Sequence, residues 1–425
     1  MGNLASKVKL YIAATAQLKE TFDLLNKRIE TPPGIPVPNP TLPFWTVPAS
    51  AILTEDEPLA DSVDIVIVGS GITGTSVAYT LLSNGSKARI LMLEARAVCS
   101  GATGRNGGHI NPPLYHDYSE LQENFGEDAA KRMIRFRLAH RGEMQRIAET
   151  EDIVKQSQTY AEAKENLRKW KSAMPDESTT HTPCTAIVAA SADKPYYVVE
   201  TPRGSITAQH VIHATNGWCS HLLEPLRAKV IPARGVMSAQ RPGTLLRNST
   251  LDGYRSFVFY RGTSGYDYLT QLPTGEHELM YGGGWAQSCE NSLPDIGITD
   301  DSVFNFAGAA HLAGSLPLYF GGDNWGGEAV PAKEQEQENR PAPTSRHAPE
   351  KGGPSAVSHL AAPGEWLAAG FSGEGMVHAW MSGKALAYMV LDQEDALEGW
   401  FPDILRVTEK RWKKASADKL VGRFL

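Results

Sequence analysis

Apolar residues recur along this chain in several rhythms, and each rhythm predicts a different element. Over residues 1–30, Leu4, Val8, Tyr11, Leu18, Phe22, Leu25 and Ile29 fall on one helical stripe, interrupted by Thr15. Lys7, Lys9, Lys19, Lys27 and Arg28 lie mostly off that stripe. Residues 31–47, TPPGIPVPNPTLPFWTV, are too rich in proline for a helix; with the residues up to 60 they read as an extended surface linker. DIVIVG, which follows, is short and continuously apolar, the pattern of a strand covered on both faces. Helical spacing returns from Tyr118 to about Trp170, most clearly in GEDAAKRMIRFRLAHRGEMQRIAE. Strand-like stretches come next: TAIVAAS, YYVVETPRG, ITAQHVIHATNG, RSFVFYRG, YDYLTQLP and ELMYGGGW, with a hairpin turn at Pro202-Arg203-Gly204. Residues 330–358 are charged, proline-rich and nearly devoid of large apolar side chains, and they read as a mobile loop. Order resumes at EWLAAGFSGEGMVHAWMSGKALAYMVL as a strand, a glycine turn and a helix.

The apolar strand opens a nucleotide-binding unit. Gly69, Gly71 and Gly74 have the G-x-G-x-x-G spacing. The first permits a tight turn, the second a close approach of backbone to pyrophosphate, and the third close helix–strand packing. Ile72 and Thr73 begin the following helix, whose free N–H groups and positive end suit phosphate. ARILMLE forms a second strand, and Glu94 stands where an acid accepts hydrogen bonds from ribose hydroxyls, with Ala95 and Arg96 beside it. A glycine triplet alone is a weak signal, but strand, triplet, helix, strand and acid in order are a strong one.

Bulk properties narrow the setting. Hydrophobic content of 41% and charged content of 21% are those of a globular protein, and a net charge of -7 argues against a nucleic-acid partner. No apolar run reaches the roughly 18–20 residues of a membrane span. Cys99, Cys184, Cys219 and Cys289 are scattered, without a zinc or C-x-x-C pattern, and fit a reducing, cytoplasmic setting. MGNLASK matches the myristoylation pattern, with Gly2 as acceptor and Ser6 in place. The N-terminal helix therefore has two readings: an acylated peripheral membrane contact, or a helix packed on the protein's own body.

After Glu94 the chain reads ARAVCSGATGRNGGHINP, and here it resembles the FAD-dependent oxidoreductases of the D-amino-acid oxidase superfamily. SGATGRNGGH is especially similar to the gamma-glutamylputrescine-oxidase-like branch and its fungal relatives. The resemblance implies that Ser100, Gly101, Ala102, Thr103, Arg105, Asn106 and Gly107 line an FAD site. HVIHATNGW resembles the family's strand beside the cofactor, adding Ala214, Thr215, Asn216 and Gly217. GEWLAAGFSGEGMVHAW resembles its closing strand, loop and helix, adding Gly373, Glu374, Gly375 and Met376 near the flavin pyrimidine edge. The implied fold is α/β: a Rossmann-like FAD-binding domain with a mixed-sheet substrate domain, preceded by an N-terminal helix. The oxidoreductase domain spans 61–420, with FAD-binding parts 61–117, 183–232 and 359–395 and substrate-side parts 118–182 and 233–329.

The implied reaction is oxidation of an amine or amino acid by hydride transfer to flavin, with no metal. Arg105, His109, Tyr281 and Trp285 are the candidate catalytic residues, and His378 is a further pocket candidate with a packing role preferred. Arg105 either forks a substrate carboxylate or holds its own loop by a salt bridge. His109 either faces the ring or is a hydrogen-bonded loop residue. Tyr281 and Trp285 either wall an amine pocket through cation–π contact or are plain core. Arg105 occupies the position where some relatives attach FAD to histidine, so non-covalent binding is expected. Two family segments look missing, between the helical region and THTPCTAI and at 330–358. The competing readings are an active oxidoreductase, a degenerate homologue and, less consistent with the later motifs, a nicotinamide-dependent dehydrogenase.

Overall fold

The computed structural model describes residues 4–47, 58–110, 112, 117–151, 177–191, 194–246, 256–260, 266–272, 276–285, 293, 295–327 and 362–417. The 330–358 loop, Gly2, Cys289 and the expected helix beyond 151 therefore lie outside the described residues.

The N-terminal stripe forms α1 (Leu4–Glu30). Leu25 and Ile29 bury against Leu293 and Ile296, with Phe22, Ile231 and Trp285 alongside. Arg28 donates to the Ile296 and Leu293 carbonyls at 2.9 and 2.7 Å, pinning this end. Residues 6–20, by contrast, are exposed throughout. The proline-rich segment is extended, but it is a bound strap rather than a free surface linker. Prolines cannot donate, and the carbonyls along the segment serve as acceptors for the body: Pro33 O takes the Thr299 hydroxyl at 2.9 Å and Val37 O takes Arg96 at 3.2 Å.

The first sheet is built on β1 (Ser62–Val68), with α2 (Ile72–Ser83) leading to β2 (Ile90–Leu93). α3 (Ala102–Arg105) is one short turn, followed by α4 (Tyr118–Phe125) and α5 (Glu127–Thr150). β3 (Glu177–Thr179), β4 (Ala186–Val188), β5 (Tyr197–Thr201) and β6 (Gly204–His213) complete most of the sheet, in order β3-β2-β1-β6-β5-β4. β1 is parallel to β2 and β6, with Val66 opposite Leu91 and Val211, and all three residues are fully buried as a doubly covered sheet requires. β5 and β6 form the expected antiparallel hairpin across Pro202-Arg203.

The second sheet is antiparallel, with β7 (Val236–Gln240), β8 (Ser256–Tyr260), β9 (Tyr266–Gln271) and β10 (Leu279–Gly283) in the order β7-β10-β9-β8. α6 (Phe306–Phe320) covers it, burying Leu312 and Leu316 against Leu269, Leu279 and Tyr281. Beneath α6, the Asp267 carboxylate accepts from Tyr281 Oη at 3.1 Å and pairs with His311 Nε2 at 2.7 Å. The chain then returns to the first sheet as β11 (Glu365–Leu367), parallel to the far half of β6, and ends its core in α7 (Ala379–Val390).

Glycine decides how closely these layers approach. Gly69 sits at φ +105°, and a Cβ on Gly74 would lie 2.0 Å from the Gly69 carbonyl oxygen. A Cβ on Gly383 of α7 would lie 2.6 Å from the Thr73 carbonyl oxygen of α2. Ser76 of α2 donates to the Trp380 carbonyl at 2.6 Å across the same contact. Gly383→Ala should destabilise the protein by about 1–3 kcal/mol through overpacking. Gly142→Ala, on an exposed helix face with open space around it, should be neutral or raise stability by roughly 0.5–1 kcal/mol. Urea unfolding of the two variants checks both signs.

Candidate active site

The nucleotide unit meets the second glycine loop through backbone and small side chains. Glu94, at the end of β2, accepts from Ser70 N at 3.1 Å and Ser70 Oγ at 2.6 Å on one oxygen. Its other oxygen accepts from Arg96 N at 3.1 Å. Three of about four acceptor positions are thus used, and the carboxylate is fixed at the mouth of β1. Ala95 joins Glu94 to Arg96. The Ile72 N–H at the start of α2 is capped by Thr103 Oγ1 at 2.9 Å, so α3 closes over the helix end from which Thr73 continues.

The Ser100–Gly107 loop is held from outside by the strap. Arg105 donates to Ser100 O at 3.1 Å, Thr41 Oγ1 at 2.7 Å and Thr41 O at 2.6 Å, and lies 3.4 Å from Asp301. Arg96 pairs with both Asp301 oxygens at 2.9 and 3.1 Å. Of its two expected roles, Arg105 therefore makes the loop-holding one. Trp45 donates to Asn106 O at 2.7 Å, and Asn106 Oδ1 accepts from Gly108 N at 2.8 Å. A Cβ on Gly104 would meet the Cys99 carbonyl at 2.6 Å and Thr46 at 3.0 Å, so the strap lies directly on this turn.

The third segment, Ala214 to Gly217, lies against the first turn: Ala214 N donates to Val68 O at 2.9 Å, and a Cβ on Gly69 would stand 2.8 Å from Ala214 O. Asn216, at φ 43°, accepts from Gly370 N at 2.9 Å and so ties in the closing loop. Gly217 packs on Pro232. Ser100 Oγ and Thr215 Oγ1 are buried without a hydrogen-bond partner among the described residues. A Cβ on Gly101, Gly373 or Gly375 meets no atom within 4 Å, which leaves the backbone of both loops open to a ligand. Unpaired buried hydroxyls beside open glycine backbone are what a polar dinucleotide would fit, since burying such groups unmatched costs about 1–3 kcal/mol each.

Two features were not read from sequence. The first is Arg137 of α5, whose guanidinium grips both Asp117 oxygens at 2.7 Å, lies 3.2 Å from the Glu374 carboxylate and donates to His378 Nε2 at 3.2 Å. Arg137 thereby fixes the Gly373–Met376 turn. Because His378 Nε2 accepts, its Nδ1 carries the proton toward the Glu374 carbonyl at 2.9 Å. His140 is arranged alike, accepting from Met381 N at 3.2 Å and meeting Phe136 O at 3.0 Å. Burial pushes both imidazoles down to about 4.

The second is the tyrosine pair of β9. The Tyr268 ring lies 5.0 Å from His109, edge-on, and a Cβ on Gly107 would meet Tyr268 at 3.3 Å. Tyr266 stands 6.4 Å from Tyr268, and its hydroxyl is pushed up by partial burial and then by the Glu374 carboxylate. Tyr268 thus packs on the 100–108 loop, and Tyr266 stands beside it within the electrostatic reach of Glu374. Alternation in YDYLTQ puts both on one strand face, a pattern visible in the sequence but without a partner there. His109 Nδ1 pairs with Ser256 Oγ at 2.7 Å, its Nε2 has no partner among the described residues, and burial pushes it down to about 4. Tyr281 and Trp285, expected beside these residues, point elsewhere. Tyr281 is fully buried on Asp267 because β10 is covered on that face by α6, and Trp285 packs with Leu25 and Ile29 of α1.

The family profile for FAD dependent oxidoreductase, DAO, matches residues 64–175 and 177–389. The chain is 25% identical over 280 residues to gamma-glutamylputrescine oxidoreductase of Escherichia coli (strain K12), covering 52% of this chain and 64% of that relative. The match therefore spans less than two thirds of the relative. Among solved structures, glycine oxidase from Geobacillus kaustophilus is similar at 16% identity and a TM-score of 0.44, over 82% of this chain and 99% of that one. L-proline dehydrogenase from P.horikoshii is similar at 16% identity and a TM-score of 0.42, over 79% and 94%.

His140 and His378 take up protons near the ordinary 6.5 once unfolded but only near 4 when folded. Their contribution is complete above 6.5 and is lost as pH falls toward 4, on the order of 3 kcal/mol for each imidazole. Urea midpoints should therefore drop between pH 7 and pH 5, and His140→Gln should flatten that slope. Arg105→Ala should quicken proteolysis within residues 31–47 and cost about 1–3 kcal/mol, because it strips Thr41 O and Ser100 O of a charged donor.

Proposed function

The chain belongs to the DAO family of FAD-dependent oxidoreductases, and we propose that it oxidises the C–N bond of a small amine or amino acid. The observation that supports this reading is the β9 tyrosine pair, with Tyr268 packed on His109 and Gly107 of the first glycine loop, where electron-rich rings would suit an amine. Bound FAD supplies a two-electron acceptor at N5. The chain's own residues do the rest. Ser100, Thr215 and the backbone of Gly71 and Gly101 would hold the dinucleotide, and the remaining acceptor position of Glu94 would take a ribose hydroxyl. Gly373, Glu374, Gly375 and Met376 would lie at the pyrimidine end of the cofactor, where Arg137 holds the Glu374 side chain and so fixes the turn that would meet the flavin. His109 stays neutral at physiological pH, and its Nε2 is available to accept a hydrogen bond from a substrate amine and orient it. The chemistry belongs in the cytoplasm, where the free thiols of Cys99, Cys184 and Cys219, pushed up to about 12 by burial, stay reduced and inert.

Purified protein should be yellow, and anaerobic addition of substrate should bleach the flavin band. The name of the bacterial relative puts acylated diamines first in the panel, with glycine and proline after them. Flavin that no amine bleaches would establish the degenerate homologue instead, and a colourless protein binding NAD would overturn both. With Arg105 where a linking histidine would stand, acid precipitation should leave the flavin in solution.

A further inference from the structure

We propose that the free part of α1 is a membrane-surface anchor that lies along an anionic lipid bilayer. This is independent of the oxidase reading and survives its failure. Residues 6–20 are exposed on every side, an unsupported helix about 22 Å long. Isolated helices of that length are marginal in water, and this one displays Val8, Tyr11, Ile12 and Leu18 at 49, 73, 59 and 55% exposure. Val8, Tyr11 and Leu18 continue the face on which Phe22, Leu25 and Ile29 dock, so the apolar stripe runs off the edge of the body with its outer half uncovered.

Charge identifies the occupant. Across the exposed residues 6–20 the helix carries Lys7, Lys9 and Lys19 against one acid, Glu20, in a chain whose net charge is -7. A second copy docked in parallel would bring the same cations against these, whereas anionic headgroups neutralise Lys7, Lys9 and Lys19 together, and lysine stems can reach headgroups while the stripe sinks into the acyl boundary. No described helix is long and apolar enough to cross a membrane, so α1 lies on the surface and does not span it. Thr15 and Lys19 near the stripe keep insertion shallow. Acylation at Gly2 would strengthen this contact, but the contact does not require it.

The test is flotation of the full, unacylated chain with phosphatidylcholine vesicles, with and without phosphatidylserine. Phosphatidylserine should raise the partition coefficient by roughly thirty- to a hundredfold through the three lysines, and high salt should reverse that gain. I12E and the pair K7E/K9E should each lower binding at least tenfold while leaving the thermal midpoint and flavin content unchanged, because these side chains touch nothing in the body. Equal binding to both vesicles, binding indifferent to these substitutions, or no binding with concentration-dependent dimerisation would each overturn the proposal, the last in favour of a second copy.

Discussion

Bare backbone pressed against bare backbone is the constraint from which the rest of this structure follows. At Gly69, Gly74 and Gly383 a single added carbon would stand 2.8, 2.0 and 2.6 Å from a carbonyl oxygen, distances no packing adjustment absorbs cheaply. Those three contacts draw together the first strand, the end of β6 and the helix that arrives 300 residues later. The glycines therefore serve a geometric purpose beyond conformational freedom. They set the depth of the crevice at the carboxyl ends of the parallel strands, where open α/β sheets bind their ligands.

Around the glycine loops, charge acts by positioning the backbone. Asp301 accepts two arginines, Arg96 and Arg105, and its own backbone oxygen takes the amide of Thr41. Arg137 holds Asp117 and Glu374 in the same manner on the opposite side. Each cluster is buried enough that removing one partner leaves a desolvated charge, which makes both unforgiving of substitution. Apart from the Glu94 carboxylate, the groups around Ser100, Gly101, Thr215 and His109 are, by contrast, mostly neutral: glycine backbone, hydroxyls, a phenol and an uncharged imidazole.

The parts legible from sequence are those whose signal is local. Strand, glycine triplet, helix and acid occur within about thirty residues, and the β5–β6 turn within four, so spacing alone reports them. β7 and α6 went unread because VMSAQ lacks a strong alternation and the α6 sequence, rich in Ala and Gly, has a weak stripe. Arg137 was invisible as a site residue for a different reason. It reads as one more charge on an amphipathic helix until its partners, 20 and 237 positions away, are known. Tyr281 and Trp285 show the converse error of proximity. They flank a conspicuous Gly-Gly-Gly run, but strand pleat sends one into the α6 layer, and the other leaves toward α1. The aromatic that does meet the first glycine loop, Tyr268, is in the neighbouring strand, at an alternating position whose partner the sequence does not reveal. The proline segment was rightly read as extended, yet composition carries no information about which donors will reach its carbonyls.

That strap also imposes an order on assembly. Residues 31–47 leave the ribosome early, but the loop they cover and the aspartate that locks them are made up to 270 residues afterwards. Until Asp301 is made, neither the Arg96 and Arg105 ion pairs nor the Thr41 amide bond that fasten the strap can form, so its attachment is a late step that follows the fold of the second sheet.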